Sequence, residues 1–372
     1  MKKDTTNVTR VETKKIAADA VVGIDVGDRT SKVVVLDAAG RTAEKAEVAT
    51  TPAAMGAFFA RCRGVRVAFE TGTHCRWMYA LAKGAGVRAV VADARRLRLV
   101  YESDTKNDWN DAATIAELAR NGSKLLHPVH LRSEKAQHLL RLVEVRDTLV
   151  RARTALVNQA RGFCKSAGGR LASCSSESFE KRLKEMPPEV ESVMFPAFEA
   201  LQAVDKAVSR YDGLIEQELE TNFGEDAKLL RKIPGVGPVT AATFIATVGD
   251  AATFDRARAA GPYFGLAPRQ DQSGDTDKQL PISKAGNTLM RRLLVTSANY
   301  IMGRGPDTDL RRLGERLEGR GGKNMRKRAK VAVARKLAVV MLAILKKRTD
   351  YVPLRGEQAK AAPEQAREAT AK

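Results

Sequence analysis

Apolar residues come in short runs separated by turn formers over residues 20–93, and at helical spacing from residue 133 onward. "AVVGIDVGDRTSKVVVLDAAGRTAEKAEVA" predicts two strands joined by a Gly/Asp-rich turn, with a third strand after "AAGR". "RVAFETG" predicts another short strand, residues 74–84 a helix, and "VRAVVAD" a further strand. "DWNDAATIAELARNG" predicts a helix closed by Gly122. Strands alternating with helices in this way predict an α/β domain over residues 20–128.

From residue 133 the period changes. Leu142, Val145, Leu149, Ala152, Leu156 and Phe163 recur at three- and four-residue steps, broken once at Gln159, and Leu201, Val204, Val208, Tyr211 and Ile215 repeat the pattern. The segment between them is loop-like. Residues 129–228 therefore read as two long helices that form an antiparallel pair, a coiled-coil dimerisation arm, or core helices of one bundle. In residues 229–348, "IPGVGPVTAATFI" reads as a helix-hairpin-helix, with Pro234, Gly235 and Gly237 making a tight turn. A polar loop over residues 265–287 and an amphipathic helix ending near Arg348 follow. Residues 1–19 and 349–372 read as disordered tails.

Charge changes this picture more than length does. The chain of 372 residues carries a formal net charge of +20, and 44% of its residues are hydrophobic, so it is globular yet strongly basic. That balance points to a polyanionic partner. With 5% aromatic residues, recognition rests on phosphate contacts rather than on base stacking. Nine cations against two acids over residues 311–330 make a stretch too one-sided for a balanced ion-pair face. The run "LAVVMLAIL" is too short to span a bilayer, and the N-terminus lacks the apolar stretch of a signal peptide. Cys62, Cys75, Cys164 and Cys174 show no metal-ligand spacing and read as free thiols of a cytoplasmic protein.

The candidate chemistry lies in five residues. Asp25 and Glu70 end two predicted strands, in "GIDVG" and "FETG". Asp108 and Asp111, three apart in "KNDWNDA", would share one helix face. Four carboxylates so arranged suit Mg²⁺, most naturally two ions clamping a phosphodiester. Each also has a plainer use: Asp108 as an N-cap, Asp111 as a first-turn acid, Asp25 in a turn. "GIDVGDRTSK" also resembles the first phosphate loop of actin-like kinases and chaperone ATPases, but no second such loop follows. Ser273, beside Gly274, has no histidine near it in sequence; all four histidines lie at or before residue 138. As a nucleophile it would depend on metal-bound carboxylates or on cations such as Arg269 and Lys284. Arg291, Arg292, Lys323, Arg326, Lys327 and Arg328, with the Gly235–Gly237 turn, are candidate nucleic-acid contacts.

Taken together, "GIDVG", "FETG", "KNDWNDA", "IPGVGPVTAATFIA", "FGLAPRQDQSG" and "ISKAGNTLMRRLL" resemble the one-hundred-and-ten family of insertion-sequence transposases, which includes Piv-type DNA invertases. The likeness runs over residues 20–348. It implies a RuvC/RNase H-like domain with a DEDD metal site at Asp25, Glu70, Asp108 and Asp111. It also implies a mainly helical second domain carrying an essential serine, here Ser273. Further implications are a covalent phosphoserine link to donor and target duplex DNA, a structured guide RNA, and homodimers that join into a tetramer. Asn107 and Trp109 stand where family members often have threonine and a basic residue. A hydrolytic RuvC-like endonuclease and a non-enzymatic nucleic-acid-binding protein are the other readings of the same residues.

Overall fold

The computed structural model describes residues 14–94, 107–172, 174, 179, 182, 185–273 and 276–355. The chain divides into two compact units, Met1–Leu131 and Arg132–Lys372.

The first unit is built on five strands: β1 (Val21–Asp25), β2 (Thr30–Leu36), β3 (Thr42–Ala49), β4 (Arg66–Glu70) and β5 (Arg88–Ala92). Their order is β3-β2-β1-β4-β5. The β1–β2 and β2–β3 pairs are antiparallel, and the β1–β4 and β4–β5 pairs are parallel. Strands β1, β2 and β4 are near-continuous apolar runs because both faces of the sheet are covered. Strand β3 lies at the edge and alternates charged residues outward, which blunts it against further pairing.

Helices α1 (Pro52–Arg61) and α2 (Cys75–Gly84) cover one face, with Met55, Phe58, Phe59 and Met78 packed against Val22, Ile24, Val67 and Phe69. Helix α3 (Asp108–Asn121) covers the other through Ala112, Ile115, Ala116 and Ala119. The alanine face lets α3 come very close to β1. A Cβ at Gly23 would lie 2.1 Å from the Ala112 carbonyl oxygen and 2.5 Å from the Ala116 nitrogen. The buried Arg61 guanidinium forks onto Glu44 at 3.0 and 2.8 Å and donates to the Lys14 carbonyl at 2.9 Å. Most of the tail read over residues 1–19 lies outside the described residues; from Lys14 onward the chain is held to this fold.

The second unit is helical apart from one hairpin. Helix α4 (Glu134–Ser166) and helix α5 (Pro188–Arg231, kinked at Phe223) run antiparallel. Arg146 pairs with Asp212 at 2.5 Å, and one heptad further Arg153 pairs with Asp205 at 3.0 Å, one heptad back. The stripe read on α5 is the packed one: Leu201, Val208 and Ile215 are buried. On α4 the period is right and the phase is off by one residue. Val143, Val157 and Cys164 are buried, while Val145 and Phe163 are 43% and 38% exposed. One residue is about 100° of helix rotation, so the predicted stripe flanks the packed one: Leu142 and Leu156 are half-buried against the core, while Val145 and Phe163 face out.

Helix α6 (Pro238–Val248) is apolar or small on every side and is buried throughout from Thr240 to Val248. Around it pack Leu139 and Val143 of α4, Ile215 and Leu230 of α5, and residues of α7 (Thr288–Gly303) and α9 (Met325–Lys347). Helix α8 (Asp309–Glu318) is capped by Thr308, and the Asp309 N–H donates to the Pro353 carbonyl at 2.8 Å. The chain is thus tied down through Pro353, and the remainder of the predicted C-terminal tail, residues 356–372, lies outside the described residues. The four cysteines are unpaired, and burial pushes the Cys62 thiol up to about 12. No described helix is long and apolar enough to cross a membrane.

Gly23→Ala is expected to destabilise the first unit by about 3 kcal/mol or more, since two backbone atoms of α3 would have to move. Denaturant unfolding of the full chain against wild type measures it.

Candidate active site and nucleic-acid surface

Side chains alternate across a strand, so Gly23 and Asp25 share the face of β1 that α3 covers. On β4, Ala68 packs against Ile115 and Ala119 of α3, which puts Glu70, two residues on, on that same face. The parallel register sets Gly23 beside Ala68 and Ile24 beside Phe69, so both acids end their strands at one edge of the sheet. Helix α3 starts there. Asp108 and Asp111 fall in its first turn, just before Ala112 meets Gly23.

Asp108 is not the cap. Asn107 holds that position, and its side chain accepts from the Trp109 N–H at 3.0 Å. Neither Asp108 nor Asp111 has an ion-pair partner among the described residues, and both lie where the helix dipole favours an anion. Trp109 packs against the alanine face, with the ammonium groups of Lys32 and Lys45 at 5.2 and 5.9 Å from its ring centroid. The indole thus steadies the turn that bears both aspartates.

Four hard-oxygen donors at one sheet edge fit a divalent cation by chemistry. Among the described residues, no three His, Cys, Asp or Glu side chains are gathered closely enough to hold one.

Ser273 does not sit in an irregular loop. It is the last residue of β6 (Pro268–Ser273), which pairs antiparallel with β7 (Thr276–Ile282), and Ser273 lies opposite Thr276 at the hairpin's end. The sequence signal for this was Gly274-Asp275, a pair typical of two-residue hairpin connections. The hairpin's root is tightly held. The Ser283 N–H donates to the Ala267 carbonyl at 2.9 Å and the Lys284 N–H to the Gly265 carbonyl at 3.1 Å. A Cβ at Gly286 would lie 2.1 Å from the Tyr263 carbonyl oxygen, and one at Gly265 would lie 2.3 Å from Ala285 backbone atoms.

Arg291 completes that root, donating to the carbonyls of Phe264 and Ala285 at 3.2 and 2.8 Å. Arg292 pairs with Asp147 of α4. Both guanidinium groups thus have partners within the chain, Arg291 at the hairpin root and Arg292 on α4. Arg269, Lys284, Lys323, Lys327 and Arg328 are exposed, and Arg326 pairs loosely with Glu318 at 3.6 Å. Between α5 and α6, Gly235 adopts φ +82° against the Tyr300 ring, and Gly237 starts α6 with no side-chain cap.

The profile of a DEDD-type IS110 transposase matches residues 22–167, and that of the "Transposase IS116/IS110/IS902 family" matches residues 227–311. The chain is 29% identical over 345 residues to the transposase for insertion sequence element IS1111A of Coxiella burnetii, covering 89% of this chain and 91% of that one. A "Probable family 20 transposase" of Pseudomonas aeruginosa is 30% identical over 265 residues, covering 68% and 76%. The pilin gene-inverting protein of Moraxella lacunata is 32% identical over 127 residues, covering 34% and 38%.

If the acids of α3 are there for a ligand and not for the helix, stability will separate them from the cap. Asn107→Ala should cost about 1 kcal/mol, while Asp108→Asn should shift stability by less than about 0.5 kcal/mol. Thermal unfolding of the two variants, in chelator, checks both.

Proposed function

The chain belongs to the IS110 family of insertion-sequence transposases, and from that premise we propose that it recombines DNA site-specifically through a covalent phosphoserine link at Ser273. Cleaving and rejoining DNA is the family's activity, and its DEDD domain points to divalent-metal use. The first unit is read as RNase H-like, which its mixed five-stranded sheet supports. Asp25, Glu70, Asp108 and Asp111 would hold Mg²⁺, two ions on this reading. When bound, the cations would offset the negative charge that develops on the scissile phosphate.

The remaining chemistry belongs to the chain. A serine hydroxyl is a weak nucleophile that gains from being fixed and brought to a phosphate whose charge is offset. As the Ser273 Oγ–phosphorus bond forms, the bond from phosphorus to the leaving deoxyribose oxygen breaks. The serine proton is lost to solvent, and the leaving oxygen takes one up. The number of phosphodiester bonds is conserved, so a free hydroxyl of another strand can reverse the step without ATP.

The Gly235–Gly237 turn is read as a helix-hairpin-helix that aims backbone N–H groups at duplex phosphates. The net charge of +20 suits RNA as well as DNA, and the structured guide RNA is read here from the family resemblance. The exposed apolar residues Val145 and Phe163 of α4 support pairing of two arms in a dimer, and dimers would assemble into a tetramer. Inversion in place of transposition is the second reading, favoured by the likeness to the pilin gene-inverting protein.

The observation that carries the proposal is that β1 and β4 end in Asp25 and Glu70 at the edge of the sheet where α3 begins with Asp108 and Asp111. The test uses the gene with its native flanks in a cell, scoring recombined junctions by amplification. Wild type should yield junctions, and Ser273→Ala and Asp108→Ala at matched expression should each lower them by about a thousandfold or more. Junctions at wild-type frequency from Ser273→Ala would sink the covalent mechanism.

A further inference from the structure

A groove of about 1200 Å³ lies among α8, α9 and the root of the serine hairpin. Leu313 and Leu317 of α8, Val331 and Val339 of α9, and Pro268 and Pro281 of the hairpin wall it with aliphatic surface. Among the described residues, six cations line it, Arg258, Arg320, Lys327, Arg328, Arg335 and Lys336, and no carboxylate does.

Those six cations differ from their neighbours. Among the described residues none of them makes an ion pair. Nearby, Arg311 pairs with Glu315 at 2.8 Å, Arg312 with Asp307 at 2.6 Å, and Arg326 with Glu318 at 3.6 Å. The groove therefore gathers positive charge that the fold leaves unneutralised. Arg328 and Arg335 stand two helical turns apart on one side of α9, about 10 Å along its axis. The Arg335 stem lies over Gly261, where a Cβ would meet its Cγ at 3.0 Å.

We propose that this groove holds the backbone of the DNA strand that Ser273 attacks. The rim cations take its phosphates, and deoxyribose and base edges lie on the aliphatic wall. The inference rests on the reading of Ser273 above. An acidic protein segment would match the same charge, but nothing would tie it to this hairpin. DNA is favoured because the groove's wall includes Pro268, where β6 begins. Ser273 closes that strand five residues on, about 17 Å away at the usual strand rise. No aromatic ring lines the groove, so binding there depends on phosphates and is steeply salt-sensitive and tolerant of sequence.

The test titrates the full chain, carrying Ser273→Ala to prevent turnover, with dye-labelled single-stranded DNA, its duplex, and RNA of the same sequence. Affinity is measured across a range of salt. Arg328→Gln with Arg335→Gln should reduce the slope of log affinity against log salt by about 2 for DNA, one per lost phosphate contact. The comparison is Lys206→Gln with Arg210→Gln, two exposed cations on α5, which should reduce it by less than half as much. A groove pair that changes the DNA slope no more than the arm pair, or that changes only RNA binding, overturns the inference. The two proposals fail separately. If Ser273→Ala abolishes junctions while the groove pair leaves the DNA slope intact, the groove inference alone falls. If the groove pair behaves as expected while Ser273→Ala still forms junctions, the groove stands as a DNA site and the nucleophile does not.

Discussion

The first unit depends on a missing side chain. At Gly23 the backbone of β1 approaches α3 so closely that a single methyl group would overlap the helix backbone. That contact fixes α3 along its axis, because Ala112 and Ala116 can seat on the strand in only one register. The first turn of the helix then stands over the ends of β1 and β4. Two acids on neighbouring strands and two on the helix share one edge because of this packing. The arrangement also explains the alanine face of α3, since larger side chains would lift the helix and carry Asp108 and Asp111 away from Asp25 and Glu70.

Close approach recurs at the serine hairpin. Gly265 and Gly286 let two loops interlock, and Arg291 bonds the carbonyls of both. A two-stranded hairpin is marginal by itself. Here its root is welded to a helical core centred on α6, so the strand ending in Ser273 starts from a fixed point. Arg291 serves this clamp, and Arg292 pairs with Asp147.

These cases show what the sequence could and could not convey. The sheet was legible because its central strands are unbroken Val, Ile and Leu runs, and α3 because it has an acidic first turn and a closing glycine. The four acids were legible as strand ends and helix spacing. The hairpin was not, since "PRQDQS" and "TDKQLPI" lack the apolar alternation that marks a half-buried strand, and only Gly274-Asp275 signalled it. On α4 both apolar stripes have the same period, so spacing gave the heptad but not which stripe meets α5. The groove was invisible because its walls come from residues scattered between 258 and 339. Whether a cation is paired depends on contacts across such distances.

The charge left unneutralised by the fold has a thermodynamic consequence. Asp108 and Asp111 add like charge at one edge of the first unit, and six cations do so around the groove of the second. Each cluster raises the free energy of the folded chain through repulsion within itself. On the readings proposed above, a divalent cation would relieve the first and a phosphate backbone the second. Because the unfolded chain holds neither cluster together, each such ligand would bind the folded form preferentially and stabilise it by mass action. A sequence selected only for stability would have paired these groups internally, as it did Arg61 with Glu44 and Arg153 with Asp205. Among the described residues these groups have no ion-pair partner, which would leave them available to ligands.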